Sequence, residues 1–533
     1  MPATPESSAA RLWRRASSEN DNLPTTVTRR VLYALAMLKK VLIANRGEIA
    51  VRVARTLREM GIRSVAVYSD ADRESLHVRV CDEAYHIGPA AAAESYLRAD
   101  KILSVAKQAA CDGVHPGYGF LSENAEFAEA CEASGVTFIG PPPSAMRDMG
   151  LKTAARDKMS AAGVPIVPGG NADTVEEGLA TAERIGYPVM LKATAGGGGK
   201  GMRLVHKPEE LGPALERARS EAKKAFGDET VYIEKAIIQP RHVEIQVLGD
   251  KHGNMVHLFE RDCSVQRRHQ KVVEEAPCPA IDEEIVHKMG EVAVKGAKAV
   301  GYFSAGTFEF LLGQDKSFYF LEMNTRLQVE HPVTELITGV DLVREMVRVA
   351  AGLPLEFEQK DLERRGAAIE CRIYAEDPAT GFLPSPGKIT RLLTPSGPGV
   401  RDDSGAYEGC TISANYDRLI SKLSVWAPTR AQAVERMRRA IGEYLVSGIR
   451  TNLPFHERLF EHPEFIAGHY DTGFIDRFRD VLLGGTKLNA EERAALARAI
   501  AVAAYERTNG CAAVTQNGSG MSPWVAAHRA ELR

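Results

Sequence analysis

In "KKVLIANRGEIAVRVARTLREMGIRSVAVYSD" (39–70) a strand pattern, a helix pattern and a second strand pattern follow one another, and that order restricts the fold more than any other feature. The apolar run 41–44 has the length of a buried strand. Ile49, Val53, Leu57 and Met60 recur at helical spacing, and Gly61 stops the helix. "RSVAVYSD" (63–70) supplies the second strand. Strands joined by a helix run parallel, so the chain must begin with an open α/β sheet. A dinucleotide-binding turn would need G-x-G-x-x-G after the first strand. Only Gly47 stands there, and Asp70, a ribose-binding candidate, is isolated, so nicotinamide chemistry is disfavoured. A further short strand leads into "GVHPGYGFLSEN" (113–124), where Ser122 is the expected helix N-cap.

A chain of 533 residues implies about three or four domains. A net charge of −3 provides no global field for nucleic acid. No apolar run reaches the roughly 18 residues of a membrane span. The eight cysteines form no C-x-x-C pair and read as small hydrophobes in a reducing compartment, which points to the cytoplasm. Residues 1–36 are rich in Arg, Ser and Thr. Glu6, Glu19 and Asp21 argue against a transit peptide, which would instead place the protein in the mitochondrial matrix. The segment reads as a disordered extension, with Met37 as the effective start. "PPPSAMRDMGLK" (141–152) marks a boundary before a second α/β region. There, 204–228 is expected to be helical, "TVYIEKAI" (230–237) a strand, and 241–277 strands about a turn at Gly253. A third region starts near 366 with "AAIECRIYAED", and beyond 478 a helical tail runs into the linker-like "TQNGSG".

"GTFEFLLGQDKSFYFLEMNTR" (306–326) is the stretch richest in chemistry. "TFEFLL" and "SFYFLEMN" alternate as strands, with "GQDK" as a turn. Folding them as a hairpin puts Glu309 opposite Glu322, with Asn324 on the same face as Glu322. Facing carboxylates repel, a liability unless a hard cation sits between them. Two carboxylates and an amide oxygen suit Mg²⁺, which also takes phosphate oxygens. Phe308 and Phe310 on the other face predict a half-buried ribbon.

"KATAGGGGKGMR" (192–203) is then explicable as a glycine lid whose backbone N–H groups approach phosphates, with Lys192 supplying a point charge. It is not a Walker A loop, because no Ser or Thr follows Lys200. "RRHQK" (267–271) is followed at once by Glu274 and Glu275 and has no interleaved aromatics, which disfavours nucleic acid. On a strand, His269 and Lys271 would share a face. "TRLQVEHPVTE" (325–335) places Arg326, Gln328 and Glu330 just past the hairpin. Local residues allow either an anion clamp with a base or an internal Arg–Glu salt bridge.

"NRGEIAVR", "HPGYGFLSEN", "KATAGGGGKGMR", "ERDCSVQRRHQKVVEEAP", "GTFEF", "EMNTRLQVEHPVTE", "ECRIYAEDP" and "FLPSPGKI" occur in this order from Met37 to about 478, and together they resemble the biotin carboxylase family of ATP-grasp enzymes. The resemblance implies an α/β chain with a Rossmann-like pre-ATP-grasp domain (37–150) and an ATP-grasp domain (151–365) whose mobile glycine-rich lid spans about 166–236. An α+β C-terminal domain (366–478) and a helical tail and linker (479–533) would follow. It implies ATP contacts from Lys152, Lys192, Gly198, Gly199, Glu234, Lys235, Ala236, Ile237, His242, Gln266, His269, Leu311 and Ile449. Glu309, Glu322 and Asn324 would hold Mg²⁺ or Mn²⁺. Lys271, Arg326, Gln328, Val329 and Arg372 would bind bicarbonate, Glu330 would be the base, and Arg372 would stabilise the biotin enolate.

The implied reaction is ATP- and bicarbonate-dependent carboxylation of biotin through carboxyphosphate, the first half-reaction of a biotin-dependent acyl-CoA carboxylase. No A-M-K-M biotin-accepting motif is present, so biotin would be carried by a separate protein or domain. Expected partners are a biotin carboxyl carrier protein, carboxyltransferase subunits and a second copy of the chain. Ala195 and Lys200 depart from the family in the lid, as does "EKAIIQP" near the adenine pocket. A carbamoyl phosphate-forming ligase would share the lid and carboxylates but not both "RRHQKVVEE" and "TRLQVEHP". A regulatory subunit that binds ATP without turnover would be expected to lack Lys271, Arg326 or Glu330, and all three are present.

Overall fold

The computed structural model describes residues 37–172, 174–193, 203–226, 229–484 and 498. The extension 1–36, the lid residues Gly198 and Gly199 and the expected tail and linker lie outside the described residues, apart from 479–484 and 498.

The opening pattern folds into a parallel sheet of β1 (Lys40–Ile43), β2 (Arg63–Ser69), β3 (Glu83–Gly88), β4 (Gly113–His115) and β5 (Thr137–Phe138), in the order β3-β2-β1-β4-β5. Helix α1 (Gly47–Glu59) buries Ile49, Val53 and Leu57 of the expected spacing, while Met60, the fourth, is the half-buried C-cap just past its end. Gly61 ends it at φ +71°, a conformation that costs glycine little. The next helix, α2 (Ala125–Ala133), is not capped by Ser122. Asn124 caps it, accepting from the Phe127 amide at 2.7 Å. Ser122 lies two residues too early, inside a turn in which its own amide bonds to Gly119.

Past α3 (Lys152–Ala161), a small sheet of β6 (Gly169–Asn171), β7 (Val189–Ala193), β8 (Arg203–Val205) and β9 (Val231–Lys235) is ordered β6-β9-β7-β8. Its pairings are antiparallel. α4 (Val175–Ile185) and α5 (Pro208–Phe226) close a core of its own around Val189, Leu191, Leu211, Leu215 and Ile233. Residues 204 and 205, expected to be helical, belong to β8, because pairing with β7 satisfies their backbone.

An eight-stranded sheet forms the body of the molecule. Its strands are β10 (Arg241–Gly249), β11 (Met255–Arg267), β12 (Gln270–Ala276), β13 (Ser304–Leu312), β14 (Phe318–Asn324), β15 (Ala367–Tyr374), β16 (Val400–Ser404) and β17 (Leu419–Ala427). The order is β14-β13-β10-β11-β12-β15-β17-β16. Strands on either side of residue 365 therefore pair directly, as Glu274 with Glu370. Val243, Ile245, Phe308, Phe310 and Phe320 bury one face in a core. The alternation that sends these inward sends His242, Glu244, Thr307 and Glu309 to the other face. Helix α6 (His331–Thr338) packs on β11, β12 and β15.

Candidate active site

The hairpin forms in the expected register, with Glu309 on β13 opposite Glu322 on β14. The row continues one strand further, because Glu309 also faces Glu244 on β10, and Glu244 faces Arg261 on β11. Glu244 is fully buried and Glu309 is 4 % exposed, whereas Glu322 is half-exposed on the edge strand. Phe308 and Phe310 are fully buried, so the ribbon lies deeper at β13 than a half-buried ribbon would.

Lys271 joins this row to the segment after the hairpin. Its Nζ lies 2.6 Å from carboxylate oxygens of Glu244, Glu309 and Glu330. Burial opposes the lysine's charge, but the three carboxylates outweigh it and push its pKa well up. Burial likewise opposes ionisation of Glu309, yet Lys271 and His242 hold it below the usual carboxylate range. His242 Nε2 lies 3.1 Å from Glu309, and Gln266 Nε2 meets His242 Nδ1 at 2.9 Å. Asn324 Nδ2 donates to Glu309 at 2.9 Å. Beneath them the fully buried Arg261 donates to Glu244 at 2.5 Å and to Gln246, Thr307 and Thr334.

Arg326 and Glu330 come together with this cluster. Arg326 donates to Asn324 Oδ1 and, from its Nε, to Glu123 of the first domain, both at 2.9 Å. Gln328 is buried with its Nε2 unpartnered, a donor with nothing to bind. Lys422 Nζ holds the Val329 carbonyl at 3.0 Å. Glu330 stands just before α6 without capping it, fully buried, with Lys271 on one oxygen and Arg372 Nη2 at 2.9 Å from the other. Burial works against its charge, but Lys271, Arg372 and Arg261 keep it well below the ordinary carboxylate value. Arg372 also donates to Glu274 at 2.6 Å.

The other expected contacts are spread over several elements of the fold. Lys192 Nζ sits 2.5 Å from Glu234, joining β7 to β9. Lys235 turns away, donating to the carbonyls of Gly186 and Tyr187. The Ala236 amide bonds to Pro188, and Ile237 is half-buried. Leu311 pairs with His242 in the sheet. Ile449 packs, half-buried, on the C-terminal core. Lys152 opens α3.

His269 is not on a strand beside Lys271. Arg267 pairs with Gln270, leaving Arg268 and His269 as a two-residue turn with φ +50° and +66°. That is the conformation that tight hairpins require, and it leaves His269 exposed. The strand alternation therefore stops one residue short of it.

Sequence reasoning missed Glu244, Arg261, Glu123, Glu274 and Lys422. Glu244 left a trace, since "RHVEIQV" alternates polar and apolar with His242 and Glu244 on one side. Arg261 faces Glu244 across the short β10–β11 hairpin, whereas the contacts of Glu123, Glu274 and Lys422 join residues far apart in the chain.

The donor set fits a hard cation. Glu309, Glu322 and Asn324 present oxygens on adjoining strands, and Glu309 is held ionised although buried. Buried His242, Glu244 and Glu309 also offer atoms within 4.8 Å of one another.

Residues 37–146 match the family described as biotin carboxylase, N-terminal domain. Residues 152–358 match the carbamoyl-phosphate synthase L chain ATP-binding domain, and 370–477 the biotin carboxylase C-terminal domain. Biotin carboxylase 1 of Bacillus subtilis is 54% identical over 445 residues, 83% of this chain and 99% of that protein. The mitochondrial methylcrotonoyl-CoA carboxylase subunit alpha of Mus musculus is 54% identical over 458 residues, 85% of this chain but only 64% of that subunit. Among solved structures, the biotin carboxylase domain dimer of Hydrogenobacter thermophilus 2-oxoglutarate carboxylase, in complex with MgADP and bicarbonate, superposes with a TM-score of 0.77 at 48% identity. The match covers 84% of this chain and 99% of that one.

Proposed function

The chain belongs to the biotin carboxylase family, and from that premise we propose which of its groups perform each part of the ATP- and bicarbonate-dependent carboxylation of biotin. The observation that carries the assignment is Lys271, whose single ammonium bridges Glu309 of the carboxylate row and Glu330 of the following segment. In this reading one side chain joins the groups that handle phosphate to those that handle bicarbonate.

Glu309, Glu322 and Asn324 would hold Mg²⁺, or Mn²⁺ by the same oxygen chemistry, at the nucleotide phosphates. The metal supplies charge neutralisation to the transferring phosphoryl group. Lys192, Glu234, His242, Gln266, Leu311 and the Lys235–Ile237 backbone surround the nucleotide in this reading, with Lys152, His269, Ile449 and the Gly198–Gly199 backbone as further contacts. Arg326, the unpartnered Gln328 amide, the Val329 backbone, Lys271 and Arg372 bind bicarbonate. Glu330 takes the bicarbonate proton. Both of its oxygens are engaged by cations in the free enzyme. Bicarbonate must therefore take over one of those cations before Glu330 can accept the proton.

Bicarbonate oxygen then attacks the γ-phosphorus, ADP leaves, and carboxyphosphate forms. Positioning and fixed charge supply most of the acceleration, as in other phosphoryl transfers. Carboxyphosphate splits into CO₂ and phosphate, the phosphate takes the N1 proton of biotin, and the biotin anion, stabilised by Arg372, attacks the CO₂. Lys422 keeps the Val329 peptide in place, and Glu123 orients Arg326.

Biotin arrives on a carrier protein or domain, and carboxyltransferase subunits pass the carboxyl group to an acyl-CoA or to pyruvate. A homodimer is the proposed assembly. All seven described cysteines are free, which suits a cytoplasmic enzyme. No described helix is long and apolar enough to cross a membrane.

Glu330→Gln tests the assignment. The variant should bind ATP normally by calorimetry but lose bicarbonate-dependent ATP cleavage, because an amide cannot take the proton. Full bicarbonate-dependent cleavage would make Glu330 only an anchor for Lys271 and Arg372.

A further inference from the structure

Arg372 has a second carboxylate partner that the assignment above leaves without a role. Glu274 Oε1 receives Arg372 Nε at 2.6 Å and lies 2.5 Å from its Nη2. Glu274 stands directly opposite Glu370 across β12 and β15, and both are fully buried. Glu370 Oε2 accepts from Ser424 at 2.7 Å. The remaining oxygens, Glu274 Oε2 and Glu370 Oε1, are buried with no hydrogen-bond partner. Two ionised carboxylates at a dry cross-strand position repel, and each lacks a donor on its free oxygen. One proton between those oxygens would satisfy both.

We propose that Glu274 and Glu370 share one proton through their two free oxygens, and that this carboxyl pair, acting through Glu274, sets the position of Arg372 against Glu330. The proposal rests on the role given to Arg372 above and makes Glu274 a positioning residue.

The surrounding charges are compatible with it. From β15 comes Arg372 itself, and β17 contributes Lys422, opposite Arg372 in the sheet. Asp403 faces Lys422 from β16. β11 contributes Arg261, which is committed to Glu244, Asp262, which is paired with Arg241, and the thiol of Cys263. α6 brings Glu330 at its start, with the buried His331 and Glu335, the latter held by Arg52 and Arg401. Arg430, from the helix Arg430–Glu443, is committed to Glu275. Burial raises Glu274 to about 8 against the pull of Arg372, with Glu330 and Glu370 adding to the rise. Burial also raises Glu370 to about 7, against Lys422.

With one proton the pair carries a single negative charge, matched to the guanidinium. When Glu330 takes the bicarbonate proton its hold on Arg372 weakens, and Glu274 alone keeps the guanidinium in place for the biotin anion. Once the pair loses its proton, the doubled charge draws Arg372 away from Glu330.

The test combines infrared titration with kinetics on the full chain. The wild type should show a protonated-carboxyl C=O band that disappears as pH rises through about 8. The component assigned to the pair should be missing from both Glu274→Gln and Glu370→Gln. The wild-type kcat for biotin carboxylation should fall along the same alkaline limb. Glu370→Gln should flatten that limb, because its amide bridges Glu274 without a titrating proton. Glu274→Gln should lower kcat about tenfold or more while leaving the KM for ATP within about twofold. A protonated-carboxyl band that survives in either substitution, or an unaltered alkaline limb in Glu370→Gln, would overturn the proposal. If Glu274→Gln fails to fold, Glu370→Gln carries both readouts. A wild type without any biotin-dependent turnover would instead defeat the proposed function, while the infrared band would still decide the pair.

Discussion

Glu322 sits half-exposed on an edge strand, opposite a Glu309 that burial alone would neutralise. In the free protein Lys271 and His242 keep Glu309 charged, so the buried half of the expected metal site is ready for a cation. Replacing Glu322 by Gln removes one ligand charge and one side of a cross-strand repulsion. The Mg²⁺ concentration needed for half-maximal turnover should rise about tenfold or more, with Tm unchanged or slightly higher. A Mg²⁺ titration of ATPase activity beside thermal unfolding checks both, and an unchanged Mg²⁺ requirement would remove Glu322 from the site. This pair was legible in the sequence because a hairpin needs only a turn and a period of two. Glu244, the third member of the row, was not. Its pairing with Glu309 spans two intervening strands and a helix, and nothing local encodes that register.

Among the elements, the hairpin of β13 and β14 carries the site on one face and the core on the other. Phe308 and Phe310 are fully buried, and Phe308 packs on Phe320 with centroids 5.8 Å apart. Phe308→Ala should cost about 3–5 kcal/mol of stability through the cavity it leaves. It should also loosen Glu309, one residue along the same strand. Denaturant unfolding with an ATPase assay at a temperature where the variant stays folded would measure the two effects. A loss below about 1 kcal/mol would mean that the core closes around the gap. Strands and helices with strong periodicity were readable, α1 above all. The turn at Arg268–His269 was not, because charged residues in a basic run give no Asn-Gly signal for a two-residue turn.

On the scale of the whole molecule, sequence composition suggested separate regions, and the structure shows strands on both sides of residue 365 sharing one sheet. That continuity places Arg372 beside Glu330, and no local pattern reports it, because β12 and β15 are far apart in sequence. The first domain docks just as closely. A Cβ on Gly405 would lie 2.7 Å from the Glu48 amide, so α1 meets the C-terminal strands with no room for a side chain. Glu48 is buried there, 3.4 Å from Lys422, and burial raises its pKa to about 7 despite that lysine. Relative to an unfolded value near 4.5, the folded protein holds this proton more tightly. The resulting stability is complete below about 4.5 and is lost as pH rises through about 7. Glu48→Gln should therefore lose less Tm than the wild type between those two pH values, by a few degrees. Parallel melting curves across that range would show it, and identical pH dependence would place the titration elsewhere. In the proposed mechanism one lysine-bridged cluster couples ATP cleavage to bicarbonate and biotin. Its most direct test is ATP hydrolysis by the whole chain with Mg²⁺, bicarbonate and free biotin, each omitted in turn. Cleavage should require Mg²⁺ and bicarbonate and should rise when biotin is added, with carboxybiotin as product. ATP cleavage at the same rate without bicarbonate would rule that coupling out.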